Sequence, residues 1–223
     1  MSKHTLTENQ YEELYKEVML FAEIGGVTQD EDVIWNMCIE EMKELKSAIQ
    51  DFNRIDIQDA IADTFVTLSQ LNNLYYKEPQ YTFDKDEVVK IYTVQNCIDM
   101  LEEKDKRYVK SFLKLWQEQA ILEASYWGFN LYKVIKAVNK SNFTKYPTYF
   151  EVTRVYGDSQ TLLKAADECM ELAKQYGKDY PNVVATVNTV DGVDYVVFRQ
   201  DHGNGKVVKH FKFFKEPDFT EKF

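Results

Sequence analysis

Apolar positions recur at helical spacing along the first two thirds of the chain and alternate only near its end. Tyr11, Leu14, Val18 and Phe21 line one face of a helix predicted over Thr7–Ile24, with Thr7 as its N-cap and Gly25-Gly26 as its stop. A second helix is predicted over Asp32–Asp51 and a third over Asp56–Tyr76, broken apart at Asn53-Arg54 and closed before Pro79. The connection is short, so these two helices are expected to be antiparallel neighbours. Further helical patterns cover Asp84–Lys104, Asp105–Trp127 and Leu131–Ser141.

After Pro147 the period changes. Tyr149–Tyr156 reads as a strand and Ser159–Tyr176 as a helix. Val183–Val187 and Tyr195–Phe198, joined through Asp191-Gly192, read as a β-hairpin. Gly203-Asn204-Gly205 then leads into one more extended run, Lys206–Phe213. The predicted fold class is mainly α: a helical bundle over residues 1–147 and a small C-terminal α+β appendage over residues 148–223. The appendage is expected to be a three- or four-stranded antiparallel sheet with one helix.

Two acidic clusters fall on the second and third predicted helices. On the second, Ile34, Cys38, Leu45, Ala48, Ile49 and Phe52 form an apolar stripe at about 100° per residue, with Glu41 near its middle and Glu44 at its edge. On the third, Asp56, Asp59 and Asp63 stand at i, i+3, i+7 and share one narrow strip. A carboxylate turned toward a core is costly unless something positive neutralises it, and several like charges raise the cost. A cluster of hard oxygen donors without histidine suits a divalent cation, Mg²⁺ or Mn²⁺. The opposing reading makes Glu40, Glu44 and Asp56 ordinary solvated charges on helix surfaces.

Composition narrows the function classes. The chain has 223 residues, 44% hydrophobic and 14% aromatic, enough for a substantial core, with a formal net charge of −10. That charge argues against a nucleic-acid partner, which demands a basic surface, but not against a nucleotide bound through a bridging metal. Cys38, Cys97 and Cys169 are odd in number and lack CxxC spacing, so they read as buried, reduced thiols. The opening residues hold no apolar signal core, and no run of about 18 apolar residues occurs, so no membrane association and a cytoplasmic location are expected. No GxxxxGK[ST], GxGxxG or GxSxG run is present, and His4, His202 and His210 lack the spacing of a zinc site.

Glu40-Glu41-Met42-Lys43-Glu44 followed by Asp59-Ala60-Ile61-Ala62-Asp63 resembles the signature of the all-α nucleoside triphosphate pyrophosphatases, EExxE on one helix and ExxD on the next. That superfamily includes MazG-like enzymes, dimeric dUTPases, dCTP pyrophosphatases and phosphoribosyl-ATP pyrophosphohydrolases. The first half matches residue for residue. The second departs: Ala60 stands where the signature has glutamate, and Asp59 is the nearest carboxylate, as in the D-A-L-A-D run of phage-type members. Asp59 and Asp63 at i, i+4 remain on one helix face. Val138-Asn139-Lys140-Ser141-Asn142-Phe143-Thr144-Lys145-Tyr146-Pro147 is similar to the segment that closes the nucleotide pocket in the family. The run Gly205–Lys209 and the stretch Phe214–Phe219 resemble the ends of phage-type members. The likeness covers residues 10–75 and 120–147, and residues 77–119 read as an insertion.

The resemblance implies Mg²⁺-dependent hydrolysis of a nucleoside triphosphate, a dNTP in the first instance, to the monophosphate and pyrophosphate. It implies Glu41, Glu44, Asp59 and Asp63 as metal ligands, with Glu40 or Asp56 orienting the attacking water. Asn142 and Lys145 are implied to contact substrate, against a plain reading as a helix C-cap and an exposed lysine. Trp35 is a candidate for stacking on a base, against a plain reading as a core tryptophan. A homodimer or homotetramer is also implied. Alternatives are a phosphoribosyl-ATP-like or alarmone substrate, or a non-catalytic nucleotide-sensing protein on the same scaffold, which Ala60 favours. Lys206, Lys209, Lys212 and Lys215 read first as protection of a strand edge.

Overall fold

Thr7 and Gln10 start the first helix by a reciprocal cap. Gln10 N donates to Thr7 Oγ1 at 3.2 Å and Thr7 N donates to Gln10 Oε1 at 2.9 Å, satisfying two of the backbone donors that a helix start leaves open. Helix α1 (Glu8–Ile24) follows. The structure is a computed structural model, and it describes residues 4–26, 30–80, 94–200 and 206–219. It is mainly α-helical with a C-terminal two-stranded antiparallel sheet, and the chain divides into two units. One comprises Met1–Met19, Thr28–Asn139 and Pro217–Phe223, the other Leu20–Val27 and Lys140–Glu216.

In the first unit, Asp30 caps α2 (Glu31–Gln50) by accepting from Val33 N at 3.1 Å. Asn53 caps α3 (Arg54–Tyr76) by accepting from Ile55 N and Asp56 N. α4 (Val94–Glu102), a 3₁₀ turn (Lys106–Tyr108) and α5 (Val109–Trp127) follow, and Gly128 ends α5 in the left-handed conformation at φ 73°. α6 (Leu131–Phe143) completes the helices that begin in this unit. α3 is the central element: it packs on α2 and α5, and nearly every residue from Ile57 to Asn72 is buried. Phe65 is held between Tyr11 and Trp116, whose indole Nε1 donates to Ile61 O at 3.2 Å. Burying one such side chain contributes about 2–3 kcal/mol.

Two expectations change here. Phe52, assigned to the apolar stripe of α2, lies beyond the helix end, 69% exposed at φ 51°. The Asp84–Lys104 helix is described only from Val94, and residues 81–93 lie outside the described residues.

In the second unit, Tyr149–Tyr156 is not a strand but a helix, α7. Thr148 and Glu151 form a capping box directly after Pro147, and this local start signal overrides the β-branched and aromatic content. α8 (Thr161–Gln175) follows. The hairpin joins β1 (Val184–Val190) to β2 (Val193–Arg199) through Asp191 and Gly192 at φ 50° and 77°, the left-handed pair that a type I′ turn requires.

Among the described residues the sheet has two strands rather than three or four. The Lys206–Phe213 run reaches β2 through one bridge, Arg199↔Val207, and then turns. Its departure follows from His210, which is drawn inward against Tyr156, Phe198 and Phe213. One sheet face packs Val196 and Phe198 on Val152, Ala165 and Cys169 of α7 and α8. The other packs Val190 and Val197 on Ile24 and Tyr146. No helix among the described residues is long and apolar enough to cross a membrane.

Candidate functional site

The turn between α2 and α3 determines which of their residues share a level. Glu41 lies eleven residues before Phe52 and Asp63 eleven after it, which places both about 16 Å along their helices from the turn. Glu44 and Asp59 lie eight before and seven after, one turn nearer to it. The pairing of Cys38, fourteen residues before Phe52, with Thr67, fifteen after, agrees with this register, since the Thr67 hydroxyl works to lower the Cys38 thiol pKa. Antiparallel pairing therefore aligns Glu41 with Asp63 and Glu44 with Asp59.

Exposure sorts these carboxylates. Glu40, Glu44 and Asp56 are exposed, whereas Glu41, Asp59 and Asp63 are half-buried. Oε2 of Glu41 is sealed from solvent. Burial pushes the neighbouring Cys38 thiol up to about 12; the Thr67 hydroxyl opposes that shift and the charge of Glu41 adds to it. The α2 lysines are engaged toward α4, Lys43 with Glu102 at 2.7 Å and Lys46 with Gln95 at 2.6 Å. Asp56 accepts from Asn53 Nδ2 at 2.7 Å, which ties the acidic strip to the α3 cap. Among the described residues no three or more His, Cys, Asp or Glu side chains are grouped so as to hold a metal ion. The donors sit at matching levels without being drawn into one ligand sphere.

Trp35 is a core residue. It is 0% exposed, its Nε1 donates to the Tyr75 hydroxyl at 3.0 Å, and its ring meets Phe112 edge-on at 5.7 Å. Tyr75 in turn donates to Glu31. Complete burial leaves no ring face for a nucleobase, which corrects the stacking expectation.

Asn142 and Lys145 belong to the second unit and lie together. Lys145 Nζ donates to Asn142 Oδ1 at 2.6 Å and rests 5.6 Å from the centre of the Phe21 ring. The same segment is stitched to the C-terminal stretch: Ser141 Oγ donates to Lys215 O at 2.7 Å, and Lys215 N donates to Thr144 Oγ1 at 2.9 Å. The two stretches singled out in the sequence thus meet in one unit.

A polar cluster that sequence reading missed surrounds His210, which is 1% exposed. Lys212 N donates to Nδ1 at 3.3 Å, so the neutral ring carries its proton on Nε2. Nε2 faces Ala165 O and Tyr156 Oη, each at 3.1 Å. Tyr156 donates to Glu168, which also accepts from Lys212 Nζ at 2.7 Å. Burial works to raise the Glu168 pKa, but the hydrogen bonds from Lys212 and Tyr156 outweigh it and hold the carboxylate below its usual range. No local signal marks this cluster, because α7, α8 and the C-terminal stretch each supply part of it.

No protein-family model, curated protein or solved structure matches this chain.

Proposed function

We propose that the α2–α3 hairpin is the catalytic centre of an Mg²⁺-dependent nucleoside triphosphate pyrophosphohydrolase that releases a nucleoside monophosphate and pyrophosphate, with a dNTP as the first substrate to test. The observation that carries this reading is the register of the hairpin. It sets Glu41 level with Asp63 and Glu44 level with Asp59, and leaves one Glu41 oxygen sealed beside an apolar stripe.

The donor set is all carboxylate oxygen, which suits Mg²⁺ or Mn²⁺. Glu41, Glu44, Asp59 and Asp63 would hold the ion after side-chain rotation. Bound Mg²⁺ supplies charge to the phosphate oxygens and acidifies water. Glu40 or Asp56, both exposed, would orient the attacking water and accept its proton.

A second reading, a non-catalytic nucleotide-binding protein on this scaffold, is favoured by Ala60 in place of the signature glutamate and by the ungrouped carboxylates. Pyrophosphate release across a panel of NTPs and dNTPs with Mg²⁺ separates the two. The enzyme reading expects turnover of at least one nucleotide. It also expects a loss of about 10²-fold or more in the Glu41→Gln, Glu44→Gln double variant, on the scale of deleting charge-stabilising groups. Glu41→Gln is expected to abolish the Mg²⁺-dependent rise in Tm. Wild-type protein showing neither turnover nor an Mg²⁺ response would end the enzymatic reading.

A further inference from the structure

Among the described residues β1 has an open edge. Val190 faces Val193 across the two-residue turn and Val184 faces Arg199. The N–H and C=O groups of Val184, Thr186, Asn188 and Val190 therefore point at β2, and those of Ala185, Val187 and Thr189 point away. The outward groups of β2 are used: Val196 N donates to Pro147 O at 2.8 Å, and Phe198 O accepts from Val208 N at 2.9 Å. Among the described residues nothing pairs with the outward backbone groups of β1.

Exposed strand edges are normally blunted by lysine, proline or a bulge. β1 reads Val-Ala-Thr-Val-Asn-Thr-Val, without charge or proline, and Val187 is 39% exposed. The lysine-bearing run lies on the β2 side, where Val207 bridges Arg199. The edge that carries protection is already paired, and the open edge carries none.

We infer that β1 pairs with β1 of a second copy of this chain, antiparallel, about a two-fold axis through Val187. The sequence is self-complementary about that centre. Val184 meets Val190, Ala185 meets Thr189, Thr186 meets Asn188, and Val187 meets itself, with no like charges opposed. The outward set Ala185, Val187, Thr189 maps onto itself, so each facing pair exchanges two backbone hydrogen bonds. Moving the centre by one residue sets outward groups against inward ones, and moving it by two leaves outward groups unmet. Pairing converts a two-stranded ribbon, marginal alone, into a four-stranded sheet. The second unit has 11 acidic and 11 basic residues, so two such units meet without net repulsion. This interface does not depend on the pyrophosphatase reading.

Sedimentation of the full chain across roughly 1–200 μM tests the pairing. This range brackets weak edge-to-edge association. Wild type is expected to dimerise, and Val187→Lys, which sets like charges face to face, to raise the dimer Kd at least tenfold. Val187→Cys is expected to cross-link on mild oxidation, since facing Cα atoms about 5.5 Å apart lie within disulfide reach. Val193→Cys, on β2 and 40% exposed, is the control expected to stay uncross-linked. The native Cys38, Cys97 and Cys169 are buried and add no background. The inference is overturned if Val187→Lys dimerises as wild type does, if wild type stays monomeric while Val187→Cys fails to cross-link, or if the open edge takes up an added extended peptide but no second copy.

Discussion

His210 has its pKa lowered to about 4, chiefly by burial, with the charge of Glu168 opposing that shift and Lys212 adding to it. Tyr156 from α7, Glu168 and Cys169 from α8, and Lys212 from the C-terminal stretch are the titratable groups around it. The folded-state value lies below the unfolded value of 6.5, so the unfolded chain takes up the proton first as pH falls. Stability from this source is complete above pH 6.5 and declines toward pH 4, by about 3 kcal/mol at most at 1.36 kcal/mol per unit. Urea midpoints at pH 7 and pH 4.5 should show this decline in wild type and a flatter dependence in His210→Gln.

Gly25 carries a different constraint. A Cβ there would stand 2.2 Å from the Tyr146 hydroxyl oxygen and 2.8 Å from Cζ, while the ring itself is held against Phe21 at 5.0 Å. Gly25→Ala is expected to lower stability by about 1–3 kcal/mol through overpacking. Adding Tyr146→Phe should recover part of that loss in thermal melts, because the buried hydroxyl has no hydrogen-bond partner among the described residues.

The α2–α3 hairpin shows how local signals and packing combine. Its two helices were legible from their period, and the structure adds the caps: Asp30 and Asn53, the latter read only as part of a break, accept from the first-turn N–H groups. The chain between them was not. Phe52 adopts φ 51°, a conformation that costs an L-residue about 1–2 kcal/mol and suits glycine. Its side chain is largely exposed and stabilises little, so Phe52→Gly is expected to raise unfolding free energy by about 0.5–1 kcal/mol in denaturant titration, net of the glycine's own entropy. α7 carries the opposite lesson. Tyr-Phe-Glu-Val-Thr-Arg-Val-Tyr suggests a strand, but the Thr148–Glu151 capping box is the stronger signal.

Across the whole chain, charge is divided unevenly. The first unit has 26 Asp and Glu against 16 Lys and Arg, while the second is balanced at 11 each, so the entire excess of −10 lies in the first unit. That excess raises the local concentration of cations around α2 and α3, an effect that falls with ionic strength. If those helices hold Mg²⁺, its apparent affinity should fall as NaCl rises from about 20 to 300 mM; titration calorimetry across that range measures it.

Hydrophobic period determined the helices other than α7, the β-hairpin with its Asp191-Gly192 turn, and the level of the carboxylates along α2 and α3, because each depends on neighbours within a few positions. Only tertiary structure decided that Trp35 is sealed in the core, that His210 gathers groups from three elements, and that among the described residues the sheet stops at two strands with β1 open. Those outcomes depend on which distant surfaces meet and exclude water, and that is a property of packing rather than of sequence spacing.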